Sequence, residues 1–314
     1  MKKIFNKFFN KKIGLLPYIR EDISSMSTTS PQISGWEIEK FNIPGLWSKS
    51  QGEGVVVGVI DTGCDFNHED IKDNVLQGVN FVNPGRDPMD VAGHGTHVSS
   101  TIAASNNGTG IVGVAPKTKI VPIKALGDDG NGRLDHIVKA IIWATDRGVD
   151  FISMSLGSSA PNKDLEQAIN YAASKGCIIF CAAGNSGPDV DIMYPAKYNH
   201  TIAIGAVDQN LNRTSFTCSG ESLDFLAPGH DILGCVPGNR YAMMSGTSMS
   251  NPFFIGCSAL FLSYLKQEDR PKPKSTEEYI EILKKHTIHL KDTRFSGQKK
   301  YEGYGIINPQ GLIS

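Results

Sequence analysis

Short apolar runs alternate with helix-period segments along most of the chain. The apolar runs cover residues 55–60, 120–126, 149–154, 177–183 and 201–207. The segments with apolar residues at helical spacing cover residues 136–147, 165–175, 246–265 and 277–286. Apolar runs of this length fit buried strands, and strands that alternate with helices form parallel sheets covered on both faces. The pattern therefore predicts a three-layer, doubly wound α/β fold, in which a mostly parallel sheet lies between helices.

The first 35 residues follow a different pattern. Residues 1–20 contain six basic residues and no acidic one, interspersed with Phe5, Phe8 and Phe9. Residues 24–34 are rich in Ser, Thr and Pro, a composition that buries little apolar surface. We expect residues 1–35 to form an N-terminal extension and linker, and residues 36–314 to form one folded domain.

Targeting signals and cysteine usage indicate where the protein works. Lys and Asn interrupt the apolar positions of the first 12 residues before the continuous apolar core of a signal peptide develops. No run approaches the roughly 18 uninterrupted apolar residues of a membrane-spanning helix. The six cysteines are scattered without paired spacing, which is typical of reduced thiols. We expect a cytoplasmic protein.

The overall charge excludes two classes of partner. The formal net charge is −1, so the chain as a whole has no strong field of either sign. A nucleic acid or an anionic membrane surface would be attracted by a basic protein. We therefore expect no nucleic-acid partner and no membrane partner.

Three polar groups lie where the predicted sheet gathers its functional residues, at the carboxyl ends of strands. Asp61 ends the first apolar run, residues 94–97 read His-Gly-Thr-His at a helix start, and Ser248 opens another helix. An imidazole can take the proton of a serine hydroxyl, and a buried carboxylate can hold that imidazole in position. Each feature has an ordinary alternative, because Asp after a strand often caps a turn and Ser often caps a helix.

Together these motifs resemble the three signatures of the subtilisin family: Asp-Thr-Gly at 61–63, His-Gly-Thr-His at 94–97 and Gly-Thr-Ser-Met at 246–249. The resemblance extends over most of residues 36–310 and is greatest to the intracellular subtilisins. It implies a serine endopeptidase in which Asp61 orients the base, His97 is the general base and Ser248 is the nucleophile. His94 is then a structural neighbour. A metal role for the two histidines needs a further ligand that the adjacent Gly and Thr do not supply.

The resemblance also implies the residues that bind the substrate. Asn185 is expected to donate a hydrogen bond to the developing oxyanion, together with the Ser248 N–H. Two edge segments are expected to hold an extended peptide between them, and Met193 is expected to narrow the primary specificity pocket. The edge segments are Gly130-Asn131-Gly132 and Ser155-Leu156-Gly157. The alternative for Asn185 is a turn-forming residue. The prediction for Met193 rests on its alignment with the floor of the family's pocket.

A structural calcium ion is implied by the same resemblance. The expected ligands are the side chains of Asp70 and Asn107 and the backbone carbonyls of Ser105, Thr109 and Ile111. Calcium prefers such oxygen ligands. The alternative is an Asn- and Gly-rich turn that binds no ion.

A control element is indicated near the N-terminus. Leu15, Leu16, Pro17 and Tyr18 resemble the segment with which intracellular subtilisins block their own active site. Proline lacks an N–H and has a fixed φ, so it is expected to hold the segment out of a cleavable register. The alternative is a basic tail whose Leu and Tyr side chains merely pack on the surface.

Some features leave the resemblance open to other interpretations. Phe253 stands where the family usually has a His, which alters packing below the nucleophile helix. A homodimer is considered, although the chain lacks the longer C-terminal tail with which intracellular relatives dimerise. The competing functions are a catalytically silent fold that binds peptides or proteases, and a secreted degradative protease.

Overall fold

The structure is a computed structural model that describes residues 13–313. The basic residues at 1–12 therefore lie outside the described residues. The strands are β1 (Ile13–Leu15), β2 (Ile19–Ile23), β3 (Val56–Asp61), β4 (Val79–Asn80), β5 (Lys119–Lys124), β6 (Asn131–Gly132), β7 (Phe151–Met154), β8 (Leu156–Gly157), β9 (Ile178–Ala182), β10 (Thr201–Val207), β11 (Phe225–Pro228), β12 (Ile232–Val236), β13 (Arg240–Ser245), β14 (Thr287–Ile288) and β15 (Ile306–Ile307). The helices are α1 (Trp36–Lys40), α2 (His94–Ala103), α3 (Leu134–Asp146), α4 (Lys163–Ser174), α5 (Thr247–Gln267), α6 (Thr276–Leu283), α7 (Lys299–Glu302) and α8 (Pro309–Leu312).

The predicted parallel sheet is confirmed. Nine strands form one sheet in the order β14-β15-β11-β10-β9-β7-β3-β5-β4. Every neighbouring pair is parallel except β14 with β15, which lie at one edge. The fold is thus a doubly wound α/β fold, and the carboxyl ends of its parallel strands face the same side.

Both faces of this sheet are covered. All residues of β7, β9 and β10 are buried, and successive strand side chains point to opposite faces. Helices α2 and α5 pack against each other and against the sheet, while α3 and α4 form a second packed pair. Burial of apolar side chains from both faces is the main stabilising contribution to such a core.

Phe253 belongs to this core. It is fully buried on α5, and its ring lies 5.4 Å from that of Phe41. An aromatic ring thus fills the position below the start of α5, and no polar partner is required there.

Residues 13–23, called the N-terminal segment below, pair with the domain in two small sheets. Their strand orders are β6-β1-β8 and β12-β13-β2. Ile13 and Leu16 are 1% and 3% exposed, so this part of the predicted extension buries apolar side chains against the rest of the chain. The boundary at residue 35 stays a prediction.

The lengths of the helices and the states of the cysteines bear on the protein's environment. Among residues 13–313, no helix is both long and apolar enough to cross a membrane. All six cysteines are buried and free of disulfides. Burial raises the pKa of the Cys64 thiol, the cysteine nearest Asp61 in sequence, which makes it an unreactive core residue.

Candidate active site

A buried carboxylate and a buried imidazole form the centre of the site. Asp61 is the last residue of β3, and its Oδ1 and Oδ2 lie 2.8 and 3.0 Å from Nδ1 of His94. The N–H of Thr62 also donates to Oδ1 at 2.7 Å. Asp61 and His94 are both fully buried. The carboxylate therefore fixes His94 in the tautomer that carries its proton on Nδ1.

A second carboxylate joins the end of β3 to the start of α2. Oδ1 of Asp90 accepts hydrogen bonds from the Thr62 hydroxyl and from the N–H groups of Ala92 and Gly93, each at 2.9 Å. Its Oδ2 accepts from the N–H and the hydroxyl of Thr96, at 2.9 and 2.7 Å. Asp90 is 1% exposed, and these five bonds satisfy its buried charge. This network positions the helix that begins with His94.

The expectation that His97 is the general base is wrong. Nε2 of His97 hydrogen-bonds the carbonyl of Ile232 at 3.0 Å, on the side of α2 that faces β12. A Cβ at Gly234 would lie 2.4 Å from the His97 ring, so the imidazole is pressed against this strand. Burial lowers the pKa of His97 to about 3, so the ring is neutral at pH 7. The imidazole that contacts Asp61 belongs to His94.

The other ring nitrogen of His94 is free to act. Among the described residues, Nε2 of His94 has no hydrogen-bond partner although it is buried. An unpaired buried nitrogen is costly unless a substrate, a water or a neighbouring hydroxyl uses it. Nε2 is therefore the atom that can accept a proton.

Ser248 lies at the first turn of α5. It is fully buried, and its hydroxyl donates to the Ser155 carbonyl at 3.3 Å. The Ser155 hydroxyl in turn donates to the Ser248 carbonyl at 3.0 Å. These contacts join the start of α5 to the edge segment at 155–157.

Asn185 is bonded to Thr247, the residue before Ser248. Its Oδ1 accepts from the N–H and the hydroxyl of Thr247, at 2.9 and 2.7 Å, which fixes the direction of the Nδ2 group. Nδ2 donates to the Pro17 carbonyl at 2.6 Å. A Cβ at Gly246 would lie 2.9 Å from Nδ2, so glycine leaves room for this donor. The sequence did not predict that Thr247 orients Asn185, because the two residues lie 62 positions apart and no local pattern joins them.

The N-terminal segment lies between the two predicted edge segments. β1 pairs antiparallel with β6 on one side and with β8 on the other. Gly14 faces both Asn131 and Gly157, and the Leu15 N–H donates to the Gly130 carbonyl at 2.9 Å. The structure thus brings both edge segments together around one extended chain.

Leu16 and Tyr18 contact the centre of the site. A Cβ at Gly157 would lie 2.6 Å from Cδ2 of Leu16 and 3.5 Å from Cβ of Met193. Leu16 therefore fills a recess beside these two residues. The ring of Tyr18 packs on that of His94, with 5.0 Å between their centroids. Burial raises the pKa of the Tyr18 hydroxyl.

Comparison with known proteins agrees with this geometry. The model of the Subtilase family matches residues 52–305, which is most of the chain. The chain belongs to the subtilase family. It is 38% identical to an intracellular serine protease of Paenibacillus polymyxa over 278 residues, which cover 86% of this chain and 83% of that protein.

Two further relatives of this subtilase are also named as subtilisins or serine proteases. It is 39% identical to Subtilisin BL of Lederbergia lenta, over 88% of this chain and 97% of that protein. It is 34% identical to the major intracellular serine protease of Bacillus subtilis (strain 168), over 88% of each chain. This subtilase is therefore a subtilisin-like serine protease, with protein or peptide substrates.

An additional residue from the N-terminal linker, Gln32, contacts the predicted calcium loop of this subtilase. Its amide nitrogen donates to the carbonyls of Ser105, Thr109 and Ile111, at 2.8, 3.3 and 3.0 Å. Three carbonyl oxygens thus converge on one point. Sequence reasoning missed Gln32 because it lies in the Ser- and Pro-rich linker, and no local pattern places it against a loop some 75 residues later.

Asp70 and Asn107 lie beside this convergence with different bonding. Oδ2 of Asp70 accepts from the Ile111 N–H at 2.8 Å and from the Tyr241 hydroxyl at 2.9 Å. Its Oδ1 is buried and unpaired among the described residues, and burial raises the pKa of the carboxyl. Oδ1 of Asn107 accepts from the N–H and the hydroxyl of Thr109, at 3.1 and 3.2 Å. The unpaired carboxylate oxygen and the converging carbonyls are the donors that a hard cation prefers.

Proposed function

We propose that this chain is an intracellular serine endopeptidase whose N-terminal segment holds it inactive. The observation that carries the proposal is the hydrogen bond from Asn185 Nδ2 to the Pro17 carbonyl. That carbonyl directly precedes Tyr18, whose ring packs on His94, and Asn185 also bonds Thr247, the residue before Ser248, so the carbonyl of an extended peptide occupies the position that we propose for a substrate carbonyl.

The proposed reaction uses the groups at this point. The Ser248 oxygen attacks the substrate carbonyl carbon while His94 Nε2 takes the hydroxyl proton, and Asp61 stabilises the resulting imidazolium. The negative charge that develops on the carbonyl oxygen is held by Asn185 Nδ2 and by the Ser248 N–H at the start of α5. His94 then gives its proton to the leaving amine, which leaves an acyl-enzyme on Ser248. In the second half of the reaction, His94 takes a proton from the attacking water and returns it to the Ser248 oxygen as the acid product leaves.

The register of the segment explains why it would inhibit. The side chain in the recess beside Gly157 and Met193 belongs to Leu16, whereas the carbonyl on Asn185 belongs to Pro17. In a substrate, the residue in the pocket carries the carbonyl that is attacked. The segment is therefore one residue out of the cleavable register. The narrowing of the pocket by Met193 stays a prediction.

The two alternatives receive less support. A catalytically silent binding fold would have no need for the buried Asp61 and His94 pair, or for an oriented amide donor at Asn185 bonded to the residue before Ser248. The second alternative is a secreted degradative enzyme, but the six free cysteines, the segment at 15–18 and the name of the Paenibacillus polymyxa relative favour an intracellular enzyme. A homodimer stays a prediction.

Covalent labelling tests the proposed chemistry directly. On chains whose N-terminal segment has been cut away, a serine-directed phosphonylating or sulfonylating reagent is expected to abolish casein hydrolysis and to add one label per chain at Ser248, because a base-activated hydroxyl reacts far faster than other hydroxyls. Peptide mapping by mass spectrometry locates the label. The same reagent after heat denaturation serves as the control, and labelling elsewhere with full inhibition would contradict the assignment of Ser248.

We further propose that the loop at 105–111 binds a structural calcium ion. The residues that would hold it are Asp70, Gln32 and the carbonyls of Ser105, Thr109 and Ile111, with Asn107 at the edge of the site. Exchanging the positions of the Gln32 amide oxygen and nitrogen would supply a further oxygen to the point where the carbonyls converge. The ion would stabilise the fold and would take no part in the chemistry.

Chelation is expected to lower the melting temperature. An ion that binds the native state alone stabilises it by mass action, so excess chelator should lower Tm by about 5–10 °C. Differential scanning calorimetry with and without EGTA measures the shift. Asp70→Ala should abolish the shift, whereas Asp73→Asn, an exposed carboxylate nearby, should retain it. An unchanged Tm in chelator for the parent chain would overturn the site.

A further inference from the structure

Arg213 is a buried cation that the proposed reaction does not use. It is 8% exposed and lies in the loop that follows β10. Its Nη2 donates to the carbonyls of Thr217 and Cys218, at 2.7 and 2.9 Å, and to the Ser219 hydroxyl at 2.7 Å. Its Nε donates to the Tyr301 carbonyl at 3.0 Å. Neutral oxygens thus compensate this buried charge, and the guanidinium in turn fixes the direction of the peptide groups that carry them.

The peptide group between residues 217 and 218 connects Arg213 to a neighbouring loop. A trans peptide is planar, so its C=O and N–H point in opposite directions. The Thr217 carbonyl points at Arg213. The Cys218 N–H therefore points away from the guanidinium, and it donates to the Gly184 carbonyl at 3.0 Å. A carbonyl that is bonded to a cation polarises its own peptide group, which strengthens this second bond.

Cys218 binds the peptide groups on both sides of Asn185. Its N–H bonds the Gly184 carbonyl before that residue, and its Sγ accepts from the Ser186 N–H after it, at 3.4 Å. The approach is close, because a Cβ at Gly184, whose φ is +120°, would lie 2.7 Å from Sγ. Thr247, by contrast, binds Oδ1 of the Asn185 side chain. The main chain and the side chain of Asn185 thus have separate supports.

We propose that Arg213 is a positioning residue, which holds the Asn185 amide at the substrate carbonyl through Cys218. The inference rests on the proposed function, in which Nδ2 of Asn185 stabilises the negative charge that develops on that carbonyl oxygen. Such a donor acts fully only when it points at the oxygen of the transition state. A small rotation of residues 184–186 should therefore lower kcat and leave KM unchanged. A residue that merely stabilised the fold would not change kcat of the folded chain.

The test uses the full chain whose N-terminal segment has been cut away after folding. Arg213→Lys keeps a positive charge, but an ammonium cannot bond all these oxygens in the fixed plane of a guanidinium. We expect kcat on a peptide amide to fall about tenfold, the effect of one to two lost hydrogen bonds, and KM to stay within about twofold of the parent. A peptide aldehyde forms a tetrahedral adduct whose oxygen needs the same donor, so its inhibition constant should rise by a similar factor.

Variants of Cys218 give a second measurement that does not depend on whether Arg213→Lys folds. Cys218→Ala leaves the Ser186 N–H without its acceptor, so kcat should fall about fivefold. The hydroxyl of Cys218→Ser can accept that bond and should restore kcat. The matched control is Tyr279→Phe, which removes a buried hydroxyl that bonds the Ser258 carbonyl at 3.2 Å. It should lower Tm and leave kcat unchanged.

A double-variant cycle distinguishes the two ways in which the result could differ. Asn185→Leu alone should lower kcat on the order of a hundredfold to a thousandfold, the loss measured for subtilisin itself when this donor is removed. Adding Arg213→Lys should then cause no further loss, because the donor through which it acts is absent. An equal loss in both backgrounds would overturn the inference, as would an unchanged kcat in folded Arg213→Lys or, where that variant does not fold, in Cys218→Ala. An unchanged kcat in Asn185→Leu would instead contradict the proposed function.

Discussion

His94→Ala is expected to lower kcat on a peptide substrate by on the order of a million-fold, the loss measured for subtilisin itself when its histidine is removed. The physical reason is the arrangement of the ring. Nδ1 of His94 contacts Asp61, and Nε2 has no partner among the described residues, so this imidazole alone is oriented to take the serine proton. Initial rates on a chromogenic peptide, measured on chains whose N-terminal segment has been removed, give the value.

His97→Gln is the matched control for this prediction. His97 lies one turn further along the same helix, but its Nε2 is bonded to the Ile232 carbonyl. Glutamine can retain a donor for that carbonyl, so turnover should stay within a few-fold of the parent while the melting temperature falls. A loss in His97→Gln as large as that in His94→Ala, with the fold intact by circular dichroism, would restore His97 as the base.

The double variant His94→Ala with Ser248→Ala gives an independent check. Groups that act as one unit are not additive, so the double variant should be no slower than either single variant. A further large loss would show that His94 and Ser248 contribute to separate steps, which is incompatible with the proposed proton transfer.

The fold was predictable because periodicity alone distinguishes its elements. The run at residues 201–207 corresponds to β10 without change, and the helical segment at 165–175 corresponds to α4 with its start two residues earlier. Strand and helix periods are local properties of the sequence. The hairpin of β12 and β13 was not predicted. The strand β2 was not predicted either, because its pairing with β13 joins residues more than 200 positions apart.

The local sequence pattern does not show which of His94 and His97 contacts Asp61. Residues three apart on a helix lie on neighbouring parts of the same face, so spacing does not separate His94 from His97. His94 is the first helical residue and faces the end of β3, whereas His97 faces β12. Which ring meets Asp61 depends on how α2 is rotated, and the Asp90 network that fixes this rotation is a tertiary feature.

Removing the N-terminal segment is expected to raise the initial rate by about a hundredfold. A tethered segment at a local concentration of about one millimolar, with an intrinsic affinity of about ten micromolar, leaves about one site in a hundred free. The anchoring contacts are extensive: Ile13 and Leu16 are 1% and 3% exposed, and Tyr18 covers His94. Met26→Ile, Ser27→Glu, Thr28→Gly and Thr29→Arg would create a cleavage sequence for a second protease, which cuts the folded chain after residue 29. Stopped-flow rates on the intact chain, and on the cut chain after removal of the segment, measure the effect before any self-processing.

Two substitutions within the segment test whether Leu16 anchors it. Leu16→Asp should place a charge in an apolar recess, so the intact chain should be active at once. Ile19→Ala changes a side chain that is 64% exposed, so inhibition should persist. Equal initial rates for the intact and the cut parent chains would show that the segment does not inhibit.

Pro17→Ala tests why the segment is not itself a substrate. Proline fixes its own φ and has no N–H, which holds its carbonyl, rather than that of Leu16, on Asn185. Alanine can rotate and donate, so the Leu16 carbonyl can move onto Asn185 while its side chain stays beside Gly157. The variant should therefore cut itself after Leu16 during purification, and mass spectrometry should find a chain that begins at position 17. Adding Ser248→Ala to this variant should leave the chain uncut, because the attacking oxygen is then absent. A Pro17→Ala chain that stays intact and inhibited would show that register is set by the strand pairs of β1 and β2 and not by the proline.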